Sequence, residues 1–374
     1  MTVINTCDVK ADHLITNNMW VSSMLIICSS YMFGYGIVSL NSCLVTGAKN
    51  SSEACFNQDD DGTQSCPIGS IFDDLDISTI EVSFAVSLAI VGAWTGSLLG
   101  SYPVEEYGRK TTLLWNNFFY IVGGIISGLG TVPLLYIGRF MTGLGVGVSS
   151  CAVPVLLSEI ATDTTRGRIT CLHPSGITFG IFMCAMISYG FVTYVDHGWK
   201  YVEMLTGVPG VIMLVCQFWI PESPKWLISK QNDSARAANV FRYLRAEGSN
   251  VPAEIEAIKK QEDEGNADGD EANWADVFKW KKAVVIGVGV MVVQTMTGAN
   301  TVFYYSTTIF GIAGFNESIL ATASVGLINF VTCVYASTIV DHIGRKTLLM
   351  GGKSVKLSFL YASIFDYVYE LALL

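Results

Sequence analysis

Eight apolar stretches, each long enough to cross a bilayer as a helix, alternate with polar segments along this chain. They run from Trp20 to Leu40, Ile80 to Tyr102, Thr112 to Gly130, Pro133 to Leu157, Ile169 to Val195, Tyr201 to Ile220, Ala283 to Ala313 and Ser318 to Val340. A helix rises about 1.5 Å per residue, so roughly 20 apolar residues cover the hydrocarbon of a membrane. The pattern predicts an all-α membrane protein. A ninth apolar stretch, after Thr347, is interrupted by Lys353, Lys356, Asp366 and Glu370. Central charges cost about 2.5–3.5 kcal/mol each on insertion scales, so residues 347–374 are read as an atypical tail and not as a span.

Composition supports this reading. The 374 residues are 51% hydrophobic and 14% charged, against about 25% charged in soluble domains. The net charge of -10 gathers in two loops, around Asp59, Asp60 and Asp61 with Asp73, Asp74 and Asp76, and from Glu262 to Glu271. Solvated loop charge explains it, and no basic patch points to nucleic acid. Asp8, Lys10 and Asp12 leave the first twenty residues without an apolar core, so no cleavable signal peptide is expected. The ten cysteines show no zinc spacing, and no metal or cofactor is expected. Cys28, Cys151, Cys184, Cys216 and Cys333 fall in spans as packing residues, whereas Cys43, Cys55 and Cys66 share one polar loop. If that loop lies outside the cell, two of the three can pair; the pairing stays open.

Basic residues set the orientation. Arg109 and Lys110, Arg166 and Arg168, the segment from Lys225 to Lys282, and Arg345 and Lys346 all fall on one side, which the positive-inside rule makes cytoplasmic. Residues 1–19 are then a cytoplasmic N-terminus, 20–220 a six-span bundle, 221–282 a cytoplasmic helical linker, and 283–346 a partial second bundle. The loop 41–79 is outside and carries the sequon Asn50-Ser51-Ser52, a glycosylation site in a suitable place. Gly-Arg-Lys occurs at 108–110 and again at 344–346, preceded by Glu105 and Glu106 in one copy and Asp341 in the other. A charged cluster recurring once per half marks a duplicated transporter, in which parallel repeats flank a central substrate site.

Four further segments carry a family resemblance. GRFMTGLGVGVSSCAVPVLLSEIATDTTRG from Gly138 to Gly167, PESPKWL from Pro221, QTMTGANTVFYYS from Gln294 and DHIGRKTLL from Asp341 stand in family order. Together they resemble the sugar porter family of the major facilitator superfamily, the facilitative hexose transporters among it, over Trp20 to Leu349. The resemblance implies a major facilitator superfamily helical bundle whose N-terminal six-helix half is complete and whose second half is represented by spans seven and eight. Such a chain, cut after span eight, is expected not to enclose the cavity or move sugar alone. An incomplete or spliced form and a non-transporting role both stay open.

Span seven is the most site-like segment. Gln294, Thr295, Thr297 and Asn300 set amides and hydroxyls in an apolar helix, with Gly298 to permit a break. Polar groups at that depth face protein, water or substrate. A neutral amide offers donor and acceptor to a hydroxyl, which suits an uncharged polyol, although interhelical hydrogen bonding is the competing reading. By resemblance Gln294, Asn300 and Asn329 match sugar-contacting positions, and Tyr304 and Tyr305 match the outer gate. Thr295 stands where the family has a second glutamine. Arg109, Glu159, Arg166, Glu222, Asp341 and Arg345 match a cytoplasmic ion-pair latch, and topology-setting charge is the plainer reading of them.

Two departures alter the expectation. Phe33-Gly34-Tyr35-Gly36 resembles Phe-Gly-Tyr-Asp, the acid that titrates beside an arginine matching Arg139 in proton-coupled members; glycine there favours facilitated diffusion. Pro174 replaces a sugar-binding glutamine, with His173 beside it as a titratable or simply structural group. The expected function is hexose transport by alternating access, without enzymatic chemistry. The expected partners are a small sugar and membrane lipids, the oligomeric state is open, and the location is multi-pass in the plasma membrane. A proton-coupled symporter using another acid, or a sugar sensor, remains the alternative; Glu81 and Glu203 are read as span-end acids.

Overall fold

The structure, a computed structural model, describes residues 16–44, 71–75, 77–162, 164–246, 249–267, 281–296, 299–312 and 318–343, and every regular element among them is helical. The first bundle consists of α1 (Asn17–Ser42), a short α2 (Ile71–Leu75), α3 (Thr79–Glu106), α4 (Arg109–Ser127), α5 (Val132–Ile160) and α6 (Arg166–Tyr194), then α7 (Gly198–Leu205) and α8 (Val208–Val215) with a closing 3-10 turn, Gln217–Trp219. The helices outrun their apolar stretches because polar caps lie beyond the hydrocarbon. Thr16 accepts the Met19 N–H at 3.3 Å and donates to the Leu244 carbonyl at 2.6 Å. Ser78 and Glu81 form a reciprocal capping box at the start of α3.

Among the described residues five helices are long and apolar enough to cross a membrane, α1, α3, α5, α6 and α14 (Ser318–Ile343). The other three expected spans differ for local reasons. Span three is α4, whose 19 residues open on Arg109 and Lys110. Span six breaks between α7 and α8, where Pro209 has no N–H for the Leu205 carbonyl. Span seven comprises α12 (Lys281–Met296) and α13 (Ala299–Ile312), flanking residues 297–298.

With hydrocarbon outside, helices associate through close backbone approach rather than hydrophobic exclusion. A Cβ on Gly92 or Gly96 of α3 would strike the carbonyls of Phe140 and Leu144, and one on Gly143 or Gly147 of α5 those of Ala89 and Ala93. Spans two and four therefore interlock through reciprocal pairs of glycines, one turn apart on each helix. The large apolar side chains point the other way: Trp94, Leu98, Trp115 and Phe118 are all more than half exposed. Serines, asparagines and Arg139 share the interior with apolar side chains such as Tyr120, Met32 and Leu156.

The second half docks on the first along two seams. The Asn41 amide of α1 donates to Ser306 Oγ of α13 at 3.1 Å. On α6, Phe179 meets Phe330 of α14 at 5.2 Å between ring centres, and Ser175 Oγ lies 3.6 Å from Cys333 Sγ. Thr307 and Thr322 join spans seven and eight at 3.2 Å. Below the bundle, α9 (Pro224–Ser229), α10 (Ser234–Leu244) and α11 (Val251–Ala267) form the expected helical linker. Two of them start where Ser223-Pro224 and Val251-Pro252 predict a start, and Ser223 Oγ accepts the Trp226 N–H at 3.1 Å.

Candidate functional site

Arg139 is fully buried in α5, and its Nη1 donates to the Gly36 carbonyl at 2.9 Å and to Ser39 Oγ at 2.8 Å. Glu203 of α7 is equally buried, with Oε1 3.7 Å from Nη1. Contact at that distance is an ion pair without a hydrogen bond. Arg139 Nε and Nη2 and both Glu203 oxygens have no hydrogen-bond partner. Glu203 is thus not the span-end acid expected from its position: the break before Pro209 leaves α7 as a short helix whose acid faces inward. Nor is space lacking at Gly36, where an added Cβ would meet only Thr206 Cγ2, at 3.6 Å. A carboxylate faces the arginine here, from span six instead of span one.

Other candidate groups lie on the helices that form the seam between halves. His173 Nδ1 is 2.8 Å from Ser30 Oγ, and its ring meets Phe33 edge-on at 6.2 Å. Tyr304 is half-buried and packs against the apolar cluster that includes Tyr35, Leu40 and Trp199. Tyr305 and Asn329 are also half-buried, in α13 and α14. Gln294 and Thr295 fall in the last turn of α12 and Asn300 in the first turn of α13; their side chains lie outside the description. Gly298, at which a break was expected, falls between the two helices and outside the described residues.

At the cytoplasmic end Arg109 is 7% exposed and every guanidinium nitrogen is used. Nε and Nη2 donate to Glu159 at 3.0 and 3.3 Å, Nη2 also to Glu105 at 3.2 Å, and Nη1 to the Val104 carbonyl at 3.3 Å. This clasp ties the ends of spans two, three and four together inside the first bundle. Glu222 does something other than ion pairing. Its Oε1 accepts the backbone N–H groups of Lys110 at 2.9 Å and Ser223 at 3.0 Å, so it holds the start of α4 as an anion on a helix N-terminus. Burial raises its pKa above the ordinary carboxylate value, against the pull of backbone N–H groups from Lys110, Ser223, Arg109 and Thr111. Gly108 allows that approach: its φ is +94°, and a Cβ would sit 2.5 Å from Glu222 Oε2. Arg166 starts α6 on the same face. Asp341 lies in the last turn of α14 with its side chain outside the description, and Arg345 and Asn50 lie outside the described residues.

Two clasps were not anticipated. Arg245 donates to the Ile160 carbonyl at 2.7 Å and to both Glu254 oxygens at 3.0–3.2 Å, so the linker closes the C-terminus of span four. On the opposite side Asp74 binds Lys200 Nζ at 2.7 Å, His197 Nδ1 at 2.8 Å and Trp199 Nε1 at 2.9 Å. Burial alone would raise the Asp74 pKa, but hydrogen bonds from Lys200 and Trp199 and the nearby charges outweigh it and lower it. Neither set follows a spacing visible in sequence, since each joins residues at least 80 positions apart or spans a loop and a turn.

A model of the family described as "Sugar (and other) transporter" matches residues 21–369. The glucose transporter GlcP of Staphylococcus epidermidis is 33% identical over 298 residues, 78% of this chain and 65% of its own. The human solute carrier family 2 facilitated glucose transporter member 5 is 30% identical over 336 residues, 87% of this chain and 65% of its own. The chain thus spans less than two thirds of the length of these curated relatives. In fold it is similar to the xylose transporter XylE from E. coli in a partially occluded inward-open conformation, with a TM-score of 0.67 at 22% identity over 88% of this chain and 74% of that one.

Proposed function

The chain belongs to the sugar transporter family, a multi-pass membrane protein with a major facilitator superfamily bundle, and on that premise we propose that it serves the movement of a hexose by alternating access. Binding and rocking of two bundles suffice, so no covalent step and no enzyme activity is assigned. The observation that carries the reading is the seam between α1 and α13, with Asn41 on Ser306. The seam sets α13, which bears Asn300, against the first bundle, with α12 and its Gln294 and Thr295 preceding it in the chain; neutral amides at membrane depth suit a polyol. Asn329 adds a fourth polar contact. In this reading Tyr304 and Tyr305 close the outer side, and Arg166, Asp341 and Arg345 the cytoplasmic side, where Arg109, Glu159 and Glu222 hold the first bundle rigid. The glucose transporters among the relatives support a hexose. Equilibrium binding of labelled glucose and fructose to the purified chain in nanodiscs tests this. Saturable binding weakened about tenfold or more by Asn300→Ala, the loss of about 1.4 kcal/mol, is expected; no saturable binding of either sugar refutes it.

A second reading is proton-coupled transport, and the pair Arg139–Glu203 favours it. It places a buried carboxylate, neither oxygen of which accepts a hydrogen bond, opposite Arg139, where Gly36 of span one offers none. In a form carrying both complete six-span halves, sugar-evoked alkalinisation of the medium, abolished by Glu203→Gln, supports coupling; sugar flux without alkalinisation assigns facilitated diffusion.

A further inference from the structure

On the cytoplasmic rim, between the start of span three, the end of span six and linker helix α10, lies a cavity of about 620 Å³. Lys110 and Arg236 line it, with Thr111, Gln231 and Asn239 as neutral polar groups and Phe218 at its mouth. The Lys110 ammonium makes no ion pair within 4.0 Å among the described residues. Arg236 is held loosely, 3.2 Å from Gln231 Oε1 and 3.9 Å from Asp233. The acids nearby are engaged: Glu222 by backbone N–H groups and Asp233 by the Arg236 N–H at 2.9 Å. Glu222 itself lines the cavity beside Lys110, its Oε1 taken by those backbone N–H groups.

Above the cavity an apolar strip faces lipid. Trp115 and Phe118 of span three are 74% and 58% exposed, and Val215 and Phe218 of span six are 69% and 84% exposed. The two helices are packed neighbours, so the strip runs from the cavity mouth into the hydrocarbon. Cations at the leaflet boundary beneath an apolar groove are complementary to a phospholipid, with headgroup below and acyl chains above.

We propose that this cavity binds a phosphatidylinositol-class lipid of the cytoplasmic leaflet, with Lys110 and Arg236 on the phosphate. Thr111, Gln231 and Asn239 meet the ring hydroxyls, and the chains follow Trp115, Phe118, Val215 and Phe218. Bound there, the lipid bridges the linker helix to spans three and six and so bears on the latch around Arg109.

The test uses the full chain in phosphatidylcholine nanodiscs containing a minor fraction of phosphatidylinositol, with co-purifying lipid counted by mass spectrometry after extraction. The expected result is enrichment of phosphatidylinositol over the bulk, reduced roughly fivefold for each cation removed in Lys110→Gln and Arg236→Gln. Asn239→Trp, which fills the cavity without changing charge, is expected to abolish it too. Lys225→Gln with Lys230→Gln, exposed lysines outside the lining, is expected to preserve it. Absence of enrichment in the unaltered chain overturns the proposal. So does enrichment that survives Asn239→Trp, or that falls equally with Lys225→Gln and Lys230→Gln, which would reflect diffuse surface charge.

Discussion

Two arginines of the first bundle, Arg109 and Arg139, are almost equally buried and differ in every other respect. Arg109 spends all three nitrogens on Glu159, Glu105 and the Val104 carbonyl. Arg139 spends one, and the carboxylate facing it accepts nothing. A satisfied network fixes geometry, whereas a buried polar group left unpartnered costs free energy and persists where something else requires it. The cytoplasmic clasp therefore reads as a fastener within the bundle. The central pair reads as the part that changes state.

The strongest way to break this comparison is to remove one member of the central pair. Glu203→Ala leaves a guanidinium uncompensated in the interior and is expected to cost about 3–5 kcal/mol, measured by thermal unfolding in detergent. Gly36→Asp in the same chain is expected to recover much of that loss, because position 36 has room for a side chain beside Arg139. A cost below about 1 kcal/mol would show the pair to be solvated and the contrast false. Next in size is Arg109→Lys, which keeps the charge but loses the forked contact with Glu159. A loss of about 1.5–3 kcal/mol is expected, the range for hydrogen bonds to charged groups. A neutral outcome would make the clasp a crowd of charges rather than a fastener.

The smallest effect belongs to the outer clasp, a satisfied cluster in contact with water, and it sharpens the comparison by adding solvent screening. The Asp74 pKa is lowered in the fold, so its contribution is present at neutral pH and is lost as pH falls below the ordinary carboxylate value of about 3.9. The difference in melting temperature between the unaltered chain and Asp74→Asn is expected to hold from pH 7 to about pH 5 and to shrink as the medium is acidified from there to about pH 2. A constant difference across that range would remove the ion pairs from the explanation.

Much of the architecture was legible because a membrane imposes a coarse rule: every backbone polar group must be satisfied within the element that crosses. Runs of apolar residues thus announced the helices, and Ser223-Pro224 and Val251-Pro252 announced the linker. The breaks were harder to see. Tyr201 to Ile220 looks continuous in hydropathy, yet Pro209 withholds one N–H and divides it, which turns Glu203 inward. Glu222 was read by resemblance as a latch residue; what it does instead, accepting N–H groups at the start of span three, depends on Gly108 adopting a positive φ more than a hundred residues away.

By itself the sequence determined that the chain crosses a membrane, that its basic residues gather at one set of span ends, and which family its motifs resemble. These depend on local hydropathy, charge and spacing, each a property of a short window. The tertiary structure alone decided which acid answers Arg139, that every nitrogen of Arg109 has a partner, and where Arg245 closes span four. The pairings that cross between elements, Arg109 with Glu159, Arg139 with Glu203 and Arg245 with the Ile160 carbonyl, join residues 50 to 85 positions apart, and such a pairing exists only once the helices have packed.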